Sequence, residues 1–144
     1  MFKKVLYPVD MEQTAACRKA LAQVIEQVRD WNARLVLVYV MPGFGMSLVE
    51  NYFPGGSRKA FLKKVSGDIN GFIEKNVPED VKVTPVVCEG TPYEEILRQA
   101  KRRKVDLVIL PSQSRRGVAR WQLGSTAAKV VRHAHCSVMV LRNC

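Results

Sequence analysis

Acidic residues are in short supply: 13 Asp and Glu stand against 23 Lys and Arg, a net charge of +10, so the chain attracts anionic partners. Charge alone does not choose between a nucleotide, a nucleic acid and an acidic protein face. Aromatic residues are missing from the densest basic group. None is interleaved in Lys101-Arg102-Arg103-Lys104, so this group reads as a solvated helix end that complements the helix dipole, and nucleic acid is not an expected partner. Cysteine is sparse: Cys17, Cys88, Cys136 and Cys144 lack CxxC spacing, which suits reduced thiols better than a disulfide framework. No apolar run is long enough to span a bilayer, and the opening MFKKVLYPVD breaks at Pro8 and Asp10 before a signal-peptide core could form, so a cytoplasmic location is expected.

The sequence also lacks a GxxxxGK[ST] phosphate loop, a GxGxxG turn after its first apolar run and a GxSxG nucleophile elbow. Their absence removes the usual phosphoryl-transfer, dinucleotide and hydrolase signatures, and no catalytic residue is assigned. His133, His135 and Cys136 lie close together, but a metal there needs further ligands, so they read as a turn and no metal site is expected.

Apolar runs and amphipathic stretches alternate along the chain. KKVLYPV at 3–9 is a short strand. Cys17, Leu21, Val24, Val28 and Trp31 fall three and four apart, which predicts a helix over roughly 12–31. LVLVYV at 35–40 is a strand buried on both faces, the mark of a parallel sheet covered on either side by helices. The stretch 41–56 is rich in Gly and Pro and reads as a long loop that folds its aromatics onto the core, with a lid or a partner-docking segment as the alternative. Phe61, Val65, Ile69, Phe72 and Ile73 predict a second helix over about 57–75.

VKVTPVVC at 81–88 carries Pro85, which cannot donate to a central ladder, so it belongs at a sheet edge. Thr91-Pro92-Tyr93-Glu94 reads as a capping box with Pro at the first helical position, leading into a helix with Ile96, Leu97 and Ala100 inward. VDLVIL at 105–110 should be central, a helix follows from about 125 to 132, and CSVMVL at 136–141 is the last strand, at the other edge. The alternation predicts one α/β domain over 1–144, built on a five-stranded parallel doubly wound sheet with helices on both faces.

In such sheets a ligand sits beyond the carboxyl ends of the strands where the strand order reverses. Asp10 after the first strand and Pro111 after the fourth would face one crevice if those strands are neighbours. From Val105 to Ser125 a strand runs through an Arg-bearing loop to Gly124-Ser125 at a helix start, where free N–H groups and the helix dipole attract an anion.

Along nearly its whole length the chain resembles the universal stress proteins: VLYPVD, LVYV, EGTPYEEIL, DLVIL, and above all GSTAAKVVRHAHCSVMVLR. The resemblance implies a Rossmann-like fold of the adenine-nucleotide alpha-hydrolase type with strand order 3-2-1-4-5, a role in the stress response, and a homodimer joined through strand 136–141. One branch of that family binds ATP through G-x2-G-x9-G-[ST]. Gly124 and Ser125 match its end, whereas Pro111 and Ser114 occupy its first two glycine positions. The resemblance further implies that Pro8, Asp10 and Val40 line an adenosine pocket, and that Ser112, Ser125 and Thr126 lie near ribose and phosphates.

Pro111 removes a donor, and Ser114 in a left-handed conformation would cost about 1–2 kcal/mol, roughly tenfold in affinity. Arg115, Arg116 and Arg120 read either as compensating charge-assisted partners for phosphate or as a solvated loop, the latter favoured for Arg116. The expected function is a stress-response binding or regulatory module with weak ATP or AMP affinity, Mg2+ accompanying ATP. The alternatives are an interaction protein of the same fold that takes no cofactor, and a slow ATPase or nucleotide-transfer enzyme in the same crevice, with Asp10 positioning water.

Overall fold

The computed structural model describes residues 1–11, 15–41, 58–112 and 123–142. The long loop at 42–57, and with it the question of a lid, lies outside the described residues. Five strands alternate with helices in the order β1 (Lys4–Pro8), α1 (Ala15–Asp30), β2 (Arg34–Met41), α2 (Arg58–Asn76), β3 (Val83–Glu89), α3 (Pro92–Arg102), β4 (Leu107–Pro111), α4 (Ser125–His133) and β5 (Ser137–Leu141). The sheet is wholly parallel with order β3-β2-β1-β4-β5, so its direction of winding reverses between β1 and β4.

Period-two alternation of side chains sends successive strand residues to opposite faces. Val5 and Tyr7 of β1 and Val9 just beyond it, with Leu35 and Leu37 of β2, pack with Leu21, Val24 and Val28 of α1 and Ile69 of α2. Leu6, Val36, Val38, Val108 and Leu110 pack on the other face with Ile96 and Ala100 of α3 and Ala127 and Val130 of α4. Leu6, Leu35, Leu37 and Ile109 are fully buried, as a sheet covered on both sides requires.

Prolines mark where the ladder can do without a donor. Leu35 N–H bonds Lys82 C=O at 2.8 Å and Gly90 N–H bonds Met41 C=O at 3.0 Å, so the even-numbered residues of β3 turn their amides toward β2. Pro85 therefore turns its nitrogen to the open edge, where no hydrogen bond is lost.

Two helices end alike. At α1, Ala33 N–H bonds Val28 C=O and Asn32 N–H bonds Arg29 C=O; at α3, Val105 N–H bonds Ala100 C=O and Lys104 N–H bonds Lys101 C=O. Each is a Schellman motif, with Asn32 (φ 52°) and Lys104 (φ 55°) in the left-handed position that glycine usually takes. The capping box expected at α3 does not form. Thr91 is extended at the N-cap and Pro92 opens the helix as read, but no side chain caps it. Glu94 instead accepts the Tyr93 hydroxyl at 3.2 Å, and it is the neighbouring Glu95 that is buried, paired with Arg98. Gly90 precedes this turn at φ +146°, and a Cβ there would stand 3.0 Å from Glu95 Oε1.

Asp106 ties the start of β4 to the start of β1. Its carboxylate accepts the Lys3 N–H at 2.8 Å and the Lys4 N–H at 2.9 Å. Burial pushes its pKa up, yet these two donors outweigh that and hold it below the ordinary carboxylate value. A depressed pKa means stability that is present above the unfolded value, near 3.9, and is lost as pH falls through the lower folded one. Asp106→Asn is expected to lose about 1 kcal/mol in urea denaturation at pH 7, with the gap to wild type closing as the pH drops below about 3.

Candidate functional site: a crevice between the first and fourth strands

The reversal point is wedged open by two prolines. Pairing of β1 with β4 runs through Val5–Leu107 and Leu6–Val108. Consecutive strand residues turn their amides to opposite sides. Val9 N–H bonds Val38 C=O of β2 at 2.8 Å, so position 8 turns its nitrogen toward β4; Ser112 N–H bonds Leu141 C=O of β5 at 2.9 Å, so position 111 turns its nitrogen toward β1. Both positions are proline. Continuing the register, residue 8 would donate to Ile109 C=O and residue 111 to Pro8 C=O, and neither has an N–H to give. The β1–β4 ladder therefore ends at Leu6 and Val108, and beyond it the seam is faced by carbonyl oxygens without amide partners across it.

Pro111 was read as following the fourth strand, but it is the strand's last residue, opposite Leu141. Its missing donor belongs to the crevice wall. The first strand likewise ends at Pro8, and Asp10 follows it half-buried, two residues beyond the ladder. Val40, near the end of β2, is partly buried against the α3–α4 side of the core. Pro8, Asp10, Val40, Pro111 and Ser112 thus sit at the carboxyl ends of three adjacent strands. Ser114, Arg115, Arg116 and Arg120 lie outside the described residues.

Ser112 is the joint of the site. It is fully buried; its N–H holds β5, and its carbonyl accepts the Gly124 N–H at 2.7 Å, which brings the start of α4 to the end of β4. Gly124 is extended at the N-cap and, having no side chain, caps nothing. The first intrahelical bond runs from Ala128 N–H to Gly124 C=O at 2.9 Å, leaving the N–H groups of Ser125, Thr126 and Ala127 without a partner among the described residues. Three parallel donors at the positive end of a helix dipole make an anion site. Ala127 was missed in the sequence; counting three positions from the helix start would have found it. Leu141, whose carbonyl fixes Ser112, carried no sequence signal.

Among the described residues no group of three or more His, Cys, Asp and Glu side chains is placed to hold a metal ion, and no helix is long and apolar enough to cross a membrane. Cys88, near the end of β3, is a poor nucleophile: burial, and then the charge of Glu95, push its thiol up to about 11.

A doubly wound sheet with this strand order and an uncapped helix start beside its reversal point agrees with what comparison finds. Residues 1–142 match the universal stress protein family. The chain belongs to that family. A universal stress protein of Methanocaldococcus jannaschii is 28% identical over 99% of this chain and 83% of its own length. The solved structure of a second protein from that archaeon, also named a universal stress protein, is 25% identical with a TM-score of 0.75, covering 98% of this chain and 96% of its own. A universal stress protein from Archaeoglobus fulgidus, solved in complex with dAMP, shares the fold at 15% identity and a TM-score of 0.63, covering 96% of each chain.

The proline wedge is open to a direct check. Pro111→Ala supplies the missing N–H opposite Pro8 C=O and is expected to add one rung to the β1–β4 ladder. Stability should change by less than about 1 kcal/mol, because the added bond offsets the freer unfolded chain. Hydrogen exchange should find the new amide protected; fast exchange there would show that the prolines do not hold the strands apart.

Proposed function

We propose that this chain is a nucleotide-responsive binding module whose β1–β4 crevice takes an adenine nucleotide with modest affinity. The observation that carries the reading is the row of uncapped N–H groups at Ser125, Thr126 and Ala127, held at the crevice mouth by the Ser112–Gly124 bond. A phosphate placed there gains three backbone donors and the helix dipole. Asp10 and the carbonyls of Pro8 and Ile109 offer acceptors to the amino and hydroxyl donors of adenosine, and Val40 offers apolar surface to the base. The relative solved with dAMP supports an adenine nucleotide as the ligand class. No catalytic step is assigned, since a binding role uses every group described.

Calorimetric titration with AMP, and with ATP in the presence of Mg2+, tests this. Saturable heat is expected for AMP, falling at least about tenfold in Gly124→Val, which puts a branched side chain at the N-cap, and in Asp10→Ala. Absence of heat with every nucleotide would leave an interaction module of the same fold.

We further propose that two copies pair along β5. The amides of its odd-numbered residues face β4, so Val138 and Val140 turn theirs to the open edge, flanked by half-buried apolar side chains. Pro85 bars such pairing through the outward position it occupies on the opposite edge. Sedimentation equilibrium is expected to give a dimer at micromolar concentration, reduced to monomer by Val140→Pro; a wild-type monomer would remove the proposal.

A further inference from the structure

At the far end of the sheet from the crevice, the last turn of α3 and the α4–β5 connection border a half-open hollow of about 210 Å3. Its floor is apolar, made by Leu97, Ala100, Val105, Ala134 and Cys136, and Lys101, Lys104 and His135 stand in its lining. These two ammonium groups are not used by the helix they end. The carbonyls of Gln99, Ala100 and Lys101 accept backbone amides of the Schellman turn, and Arg103 C=O accepts Lys4 Nζ at 2.8 Å. Neither lysine has a carboxylate partner among the described residues. Asp106, two residues beyond Lys104, is occupied by the N–H groups of Lys3 and Lys4.

Lys104 also holds its place at a cost. It sits at φ 55°, where glycine is the relaxed choice and a residue with a Cβ is strained. Asn32, in the matching position of α1, belongs to a residue type that tolerates this region; lysine does not. A strained backbone that keeps a long cationic side chain beside an apolar hole points to a use for the cation. Burial pushes the Cys136 thiol above its ordinary value, in keeping with an apolar interior.

We propose that this cavity binds a small carboxylate with a ring-sized apolar body, the body on the Leu97–Val105 floor and the carboxylate between Lys101 and Lys104. Size sets the class. An apolar cavity of about 150 Å3 accepts benzene, so a hollow of 210 Å3 has room for one substituted ring. Charge sets the rest, because two solvent-exposed ammonium groups without a carboxylate partner, at the rim of an apolar floor, favour an anion over its neutral isostere. The site shares no residue with the crevice.

The test uses benzoate, benzyl alcohol and acetate on the full chain, followed by amide chemical shifts. Benzoate is expected to move the amides of Lys104, Val105 and Cys136 saturably in the millimolar range, with benzyl alcohol and acetate at least about tenfold weaker. AMP should leave these shifts in place. Lys104→Gly should weaken benzoate about tenfold while raising Tm by a few degrees as the left-handed strain is relieved, a combination that a purely structural lysine would not give. Ala134→Phe, which fills the hole, should abolish binding. The proposal fails if benzoate and benzyl alcohol bind alike, if no saturable shift occurs, if Lys104→Gly binds as wild type, or if the shifts fall at Ser112 and Gly124.

Discussion

The gap between β1 and β4 is what the rest of the molecule is arranged around. A parallel ladder would close it, since each added rung contributes about 1 kcal/mol net. Proline at positions 8 and 111 withdraws two successive donors from the same seam, while the outer ladders continue past it through Val9 N–H to β2 and Ser112 N–H to β5. The ladders on either side run on, and only the one in the middle stops short. Pro111, which departs from the nucleotide-binding pattern of the family, is thus consistent with an open crevice even as it removes a backbone donor.

Most of the fold was legible because burial imposes a period. Leu21, Val24 and Val28 at helical spacing, and Leu35 to Val38 as an unbroken apolar run, allow few other arrangements once both sheet faces need covering. Pro85 marked an edge for a reason that survives inspection of the hydrogen bonds. The capping box failed because a four-residue pattern does not say where side chains turn: Glu94 meets Tyr93, and its neighbour Glu95 takes the buried place.

The crevice was half legible. Gly124 and Ser125 announced a helix start, and strand ends pointed to Pro8, Asp10 and Val40. Which way a proline nitrogen faces depends on pairing partners far away in sequence, so the wedge could not be seen there. Nor could the cavity below α3. A glycine advertises a left-handed turn, whereas the lysine at 104 hides one inside what reads as an ordinary basic helix end.

Ser112 joins these parts in one residue. Its amide is pinned to Leu141 at the rim of β5, and its carbonyl to the first turn of α4. The outer strand and the row of uncapped amides consequently hang from a single peptide segment, like a door and its latch on one hinge. Whatever grips the edge of β5 sets the position of those amides, and whatever fills the mouth of the crevice braces that edge.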